Sequence, residues 1–108
     1  MSITPDFIHT EIVQQSYEIS VHADNERLAD GFTVSQLEIA LSRCEVLENY
    51  PNDPRGESCL VLGFAPDGRA VHIVCGRNRS GHLVLITVYL PTMPKWRDPR
   101  TRNRERSS

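Results

Sequence analysis

The spacing of apolar positions changes character along the chain, helical in the first part and strand-like in the second. Thr4-Pro5-Asp6 has the form of a helix start: a capping hydroxyl, a proline at the first helical position and an acid in the first turn. Ile8, Ile12 and Gln15 then share a face, flanked by Phe7 and Val13, which predicts a helix over residues 5–15. Tyr17, Ile19 and Val21 alternate with polar residues and predict a strand over 17–21. From His22 to Asp30 the composition is helical and stops at Gly31, a natural C-terminal cap. Thr33 and Gln36 have capping-box spacing, Phe32 and Leu37 form a hydrophobic staple, and Val34, Leu37, Leu41 and Cys44 recur at helical spacing.

Beyond Cys44 the pattern is that of strands. Glu45–Tyr50 reads as a strand ended by Pro51, and Pro51-Asn52-Asp53-Pro54-Arg55-Gly56 as a turn-rich loop. Cys59–Ala65 is an apolar run of strand length. Pro66-Asp67-Gly68-Arg69 turns it into Ala70–Gly76, and Arg77–Gly81 leads into Leu83–Leu90. On that last strand, strict alternation sets Thr87 and Tyr89 opposite Val84, Ile86, Val88 and Leu90. Helices first and a meander second predict an α+β fold, its N-terminal helices packed on one face of an antiparallel sheet of about four strands. The predicted organisation is a helical extension over 1–16, a domain over 17–96 and a basic, mobile tail over 97–108.

Length and charge sharpen this picture. With 108 residues the chain makes one domain. Its net charge of -2 conceals a split. Met1–Asp53 carries 2 basic and 10 acidic residues, net -8, and Pro54–Ser108 carries 10 basic and 4 acidic, net +6. The tail weighs heavily in this: Met1–Pro94 alone has 6 basic and 12 acidic residues, net -6. That excludes a generic basic nucleic-acid coat and places any anion site on the strand side. No run of 18 apolar residues offers a membrane span, and the N-terminus lacks a basic and apolar leader. Cys44, Cys59 and Cys75 are odd in number and widely spaced, as expected of buried thiols in a reducing cytoplasm rather than of a disulfide or zinc framework. No metal-ligand spacing, phosphate-binding glycine loop or nucleophile elbow occurs, so neither metal nor cofactor is expected.

Four groups of residues could carry chemistry. His22 lies at a strand-to-helix junction with Glu26 and Arg27 following; it can serve as acid or base, or simply cap the helix while Arg27 pairs with Asp24 or Asp30. His72 shares a strand face with Ala70 and Val74, as a site residue at the centre of the sheet or a hydrogen-bonded structural one. Arg55, Arg77 and Arg79 lie in loops, where guanidinium forks match phosphate oxygens. Thr87, Tyr89, Lys95 and Trp96 close the last strand; Tyr and Trp stack on bases and Tyr moves protons, or they seal the edge of the core.

One resemblance joins these segments. His22-Ala23-x-x-Glu26-Arg27 with Gly31-Phe32-Thr33 resembles the start of a small uncharacterised bacterial domain family that carries a domain-of-unknown-function label. Tyr50-Pro51-x-Asp53-x-Arg55-Gly56, Leu60-Val61-Leu62-Gly63, His72-Ile73-Val74 and Ile86-Thr87-Val88-Tyr89-x-Pro91-x-x-x-Lys95-Trp96 continue it, from about Tyr17 to Trp96. Members of that family are often encoded beside a zinc-finger protein of the MqsA/YgiT antitoxin type, and it is grouped with the RelE/BrnT-like toxin fold. The resemblance implies the toxin of a type II toxin-antitoxin pair. The resemblance further implies a metal-independent RNA endonuclease, with RNA or the ribosome as the expected target and a zinc-finger antitoxin as the expected partner. His22, His72 and Tyr89 are then the acid–base candidates, and Arg27, Arg55, Thr87 and Lys95 the RNA-binding ones. A non-catalytic protein-binding module is the alternative of a different class.

Overall fold

A computed structural model describes residues 3–54, 56–92 and 95–102. Helix α1 (Pro5–Gln14) is followed by the two-residue strand β1 (Glu18–Ile19), helix α2 (Val21–Ala29) and helix α3 (Val34–Ser42). Strands β2 (Glu45–Tyr50), β3 (Ser58–Phe64), β4 (Ala70–Arg77) and β5 (Leu83–Tyr89) come next, then the short β6 (Trp96–Asp98) and β7 (Thr101–Arg102). The fold is α+β, with the helices N-terminal to the main sheet.

Local chemistry explains the helix starts. The Thr4 hydroxyl accepts the Phe7 N–H, the Ser20 hydroxyl accepts the Ala23 N–H, and Thr33 and Gln36 form the full capping box. Because Ser20 takes the cap, Val21 is helical and the predicted strand shrinks to Glu18–Ile19. That remnant pairs parallel to β5, so the main sheet is mixed, with five strands in the order β1-β5-β4-β3-β2, rather than a four-stranded antiparallel meander.

The face of the sheet turned toward the helices holds the core. Cys59, Val61, Val71, Ile73, Cys75, Leu83, Leu85 and Val88 meet Ile8, Ile12, Phe32, Leu37, Ala40 and Leu41 there. Gly63 lets α3 sit directly on β3: a Cβ at that position would lie 2.3 Å from the Ala40 carbonyl oxygen. Helix α1, read above as an extension, supplies Ile8 and Ile12 to this core and belongs to the domain. Cys59 and Cys75 are buried and opposite each other across β3 and β4, as expected of small core residues. The half-buried Cys44 has its thiol pushed up to about 11, chiefly by burial.

Alternation breaks on β5. Val74 pairs with Thr87 while Cys75 pairs with Leu85, so Ile86 is an extra, bulged residue. The bulge puts Leu83, Leu85 and Val88 in the core and turns Val84, Ile86, Thr87 and Tyr89 outward, which corrects the predicted siding of Val84 and Ile86. No helix among the described residues is long and apolar enough to cross a membrane.

The outer face of the sheet is half covered. β6 and β7 pair only with each other, as a ribbon that crosses from β4 to the edge strand β2. Trp96 is buried beneath it and Leu60 and Leu62, on the outer face of β3, are buried as well. Arg100 and Arg102, read above as part of a mobile tail, therefore belong to ordered structure up to Arg102. Residues 103–108 lie outside the described residues.

Candidate functional site

The ribbon divides the predicted site residues into two groups on one sheet face. Under it lies His72, fully buried and paired across the strands with Tyr89. Trp96 meets the His72 ring edge-on with centroids 4.3 Å apart. The Pro99 carbonyl, 2.7 Å from Nε2, can only accept, so Nε2 carries the hydrogen. Nδ1 then accepts from the Tyr89 hydroxyl at 3.1 Å. Burial holds the imidazole pKa below its ordinary value, against the opposing pull of the Pro99 carbonyl and Glu48. His72 is thus a buried ring with both nitrogens occupied. Tyr89, its hydroxyl committed to His72, has its pKa raised mainly by burial.

Beside the ribbon the same face opens into a cleft of about 550 Å³. Its floor is Val74, Gly76, Ile86 and Thr87; one wall is Ser20 and His22 at the start of α2, the other Tyr50, Asp53, Gly56, Glu57 and Ser58. Here His22 is exposed, with 67% of its side chain accessible. Its Nε2 lies 3.3 Å from Glu26 Oε2, one helical turn on. The other oxygen of Glu26 accepts the Val88 N–H at 2.8 Å, which ties the carboxylate to the edge of β5. Helix α2 is locked there a second time, where the Ser20 hydroxyl donates to the Ile86 carbonyl at 3.0 Å. A carboxylate that is fixed by the backbone and holds one imidazole nitrogen leaves Nδ1 directed away from it, with no hydrogen bond among the described residues. Such an arrangement has the geometry that a base with an orienting group requires.

A polar chain links the two halves. The Tyr50 hydroxyl, on the cleft wall, donates to Glu48, which also receives Arg102 of the ribbon. The Tyr50 pKa is pushed up to about 12 by burial and by that carboxylate. Arg102 and then burial act on Glu48 in opposite directions, and the net effect holds Glu48 below the usual carboxylate range.

The other candidates are dispersed. Arg27 is mostly buried, donating to Asp24 at 2.7 Å and to the Phe32 carbonyl at 3.1 Å, so it braces the α2–α3 turn rather than clamping a phosphate. Thr87 lies on the cleft floor. Lys95 is exposed at the entrance to the ribbon, and Arg55 falls outside the described residues. Arg77, by contrast, does line the cleft, and its guanidinium stacks on Phe7 of α1, 3.9 Å from the ring centroid. Tyr50 and Glu48 escaped sequence reading because nothing in Glu45–Tyr50 distinguishes an edge strand that faces a site. Glu26 was visible as the helical neighbour of His22. No group of three or more His, Cys, Asp or Glu among the described residues is placed to hold a metal ion.

No curated protein matches the chain, and no solved structure does. The sequence model of the domain of unknown function DUF4258 matches residues 19–90, from β1 through the end of β5 and thus across both the cleft and the His72–Tyr89 pair. The match spans two thirds of the 108 residues, and the chain belongs to the DUF4258 family.

Proposed function

We propose that the protein is an RNA endonuclease of the toxin kind, with the RelE/BrnT-like fold that its sequence resembles. In this reading it works in the cytoplasm and is held in check by a small zinc-finger antitoxin. The observation that carries the reading is the His22–Glu26 pair at the mouth of the cleft: an exposed imidazole, 3.3 Å from a carboxylate that the backbone holds in place. Cleavage proceeds by attack of a ribose 2′-hydroxyl on the adjacent phosphorus. His22 Nδ1 takes the hydroxyl proton, the new O–P bond forms, the bond to the 5′-oxygen breaks, and water in the open cleft protonates the leaving oxygen. Glu26 orients the ring and stabilises it once protonated, and Thr87 offers a hydroxyl to a phosphate oxygen from the floor. His72 and Tyr89 take no direct part and instead fix the ribbon that borders the cleft.

A second reading, a non-catalytic module that captures a basic protein segment, is favoured by the Glu57 carboxylate on the loop wall. Incubation of the purified protein with a mixed-sequence single-stranded RNA separates the two. Wild type produces fragments ending in 2′,3′-cyclic phosphate and His22→Ala does not. RNA left intact by wild type, at any protein concentration that arrests a translating lysate, overturns the nuclease reading.

A further inference from the structure

The β6–β7 ribbon carries two guanidinium forks that are already occupied. Arg100 places Nε 3.0 Å from Glu45 Oε2 and Nη2 2.9 Å from Oε1; Arg102 places Nε 3.1 Å from Glu48 Oε2 and Nη2 2.8 Å from Oε1. Both are bidentate, side-on pairs, the geometry in which a guanidinium grips a phosphate equally well. Both stand open to solvent, with 56% and 43% of the arginine side chains accessible. The ribbon is also anchored by the buried Trp96, on which the Arg102 guanidinium stacks at 4.6 Å, and by the hydrogen bond from His72 to Pro99, so the forks can change partners without releasing it.

We propose that Arg100 and Arg102 form a binding rail for the sugar-phosphate backbone of single-stranded RNA, on which Glu45 and Glu48 stand in for phosphate until RNA displaces them. This rests on the RNA reading of the cleft and extends it to how the strand is held. The rail adds two guanidinium groups to a cleft whose lining contains one, Arg77. The loop wall there bears Asp53 and Glu57, whereas Arg102 reaches the cleft's edge through Glu48 and Tyr50. It also gives a use to the charge split: acids of β2 occupy the arginine forks while no anion is bound. Exposed pairs of this kind are weakly held, so exchange of a carboxylate for a phosphate costs little.

The test uses the full chain carrying His22→Ala, so that RNA stays intact, and follows the fluorescence anisotropy of a labelled single-stranded RNA across a salt series. Each phosphate neutralised, with release of its counterion, contributes about 0.7 to the steepness of log affinity against log salt for single strands. Arg100→Gln with Arg102→Gln should lower that steepness by about 1.4. Glu45→Gln with Glu48→Gln, which removes the internal competitors and leaves the arginines, should tighten binding several-fold at low salt. Ordered packing of the single tryptophan, followed by its fluorescence, confirms that the ribbon is folded in each variant. An unchanged slope in the arginine variant, or weaker binding in the glutamate variant, overturns the rail. Cleavage by wild type is scored separately. Absent cleavage with the slopes as stated removes the nuclease reading and leaves the rail, and cleavage with unchanged slopes does the reverse.

Discussion

His22 and His72 point at the same face of one sheet, and their surroundings make them opposites. His72 is fully buried, sandwiched by Trp96 and Tyr89, with both ring nitrogens in hydrogen bonds. His22 stands at the lip of a cleft, two-thirds exposed, with one nitrogen on Glu26. The first has been given everything a structural histidine needs, and the second what an acid–base catalyst needs: a fixed partner, an open nitrogen and space beside it. What separates them is a ribbon of seven residues, which covers one half of the face and ends at the other.

The largest effect that tests this contrast is catalytic. His22→Ala should lower RNA cleavage by about 10²–10⁴-fold, the ordinary worth of a positioned acid–base group, while its unfolding midpoint stays at the wild-type value. Glu26→Gln should fall between the two proteins in rate, because the amide keeps the Val88 hydrogen bond but loses the charge that holds the imidazole. Cleavage that survives His22→Ala and disappears in a folded His72→Gln protein would reverse the roles of the two histidines.

The next effect is on stability. Trp96→Ala removes the plug over His72 and should cost about 3–5 kcal/mol in chemical denaturation, as large aromatic truncations in cores do. A loss under 1 kcal/mol would mean that the ribbon rests on the sheet without being packed into it.

Most of the fold was legible before the structure, and the site only in part. The capping box at Thr33–Gln36 and the Pro66–Arg69 turn are local signals, written within four residues, and both fell where the pattern placed them. The bulge at Ile86 was not legible, because an inserted residue in an apolar strand leaves no mark in composition, yet it reverses which side chains reach the outer face. The ribbon was hidden for a related reason. Pro91, Pro94 and a run of arginines look like the start of a tail, and the acids that neutralise them, Glu45 and Glu48, lie some fifty positions earlier. His72 could be assigned to a face but not to a depth, since burial of that face depends on the ribbon.

A smaller effect follows from the His72 pKa. Burial lowers it in the fold from the ordinary value of 6.5, so below that pH the unfolded chain binds a proton that the folded chain refuses. Stability is therefore complete above pH 6.5 and declines as the pH falls through the lower folded value. His72→Gln should cost about 1–3 kcal/mol at pH 7.5, from the partners of the ring that it leaves poorly paired. The variant should also flatten the decline between pH 6.5 and 5, before the carboxylates begin to titrate. A variant as steep as wild type over that window would place the pH sensitivity in another group.

The smallest effect concerns the hold of the ribbon on the edge strand. Glu48 accepts Arg102 at 2.8 and 3.1 Å, but Arg102 is exposed and Glu48 is partly so. Glu48→Gln should therefore cost only roughly 0.2–1 kcal/mol, far less than loss of Trp96, and the difference from wild type should shrink as salt is raised. Its pH signature is also distinct. Arg102 holds the Glu48 carboxyl below its ordinary 4.5, so this contribution is present above that pH and disappears as the pH falls below it. A cost that equals that of Trp96→Ala, or one that persists undiminished in high salt, would show that the arginine forks and not the tryptophan fasten the ribbon. The covered half of the face would then open with ionic strength, and the two histidines would differ by a latch rather than by a packed wall.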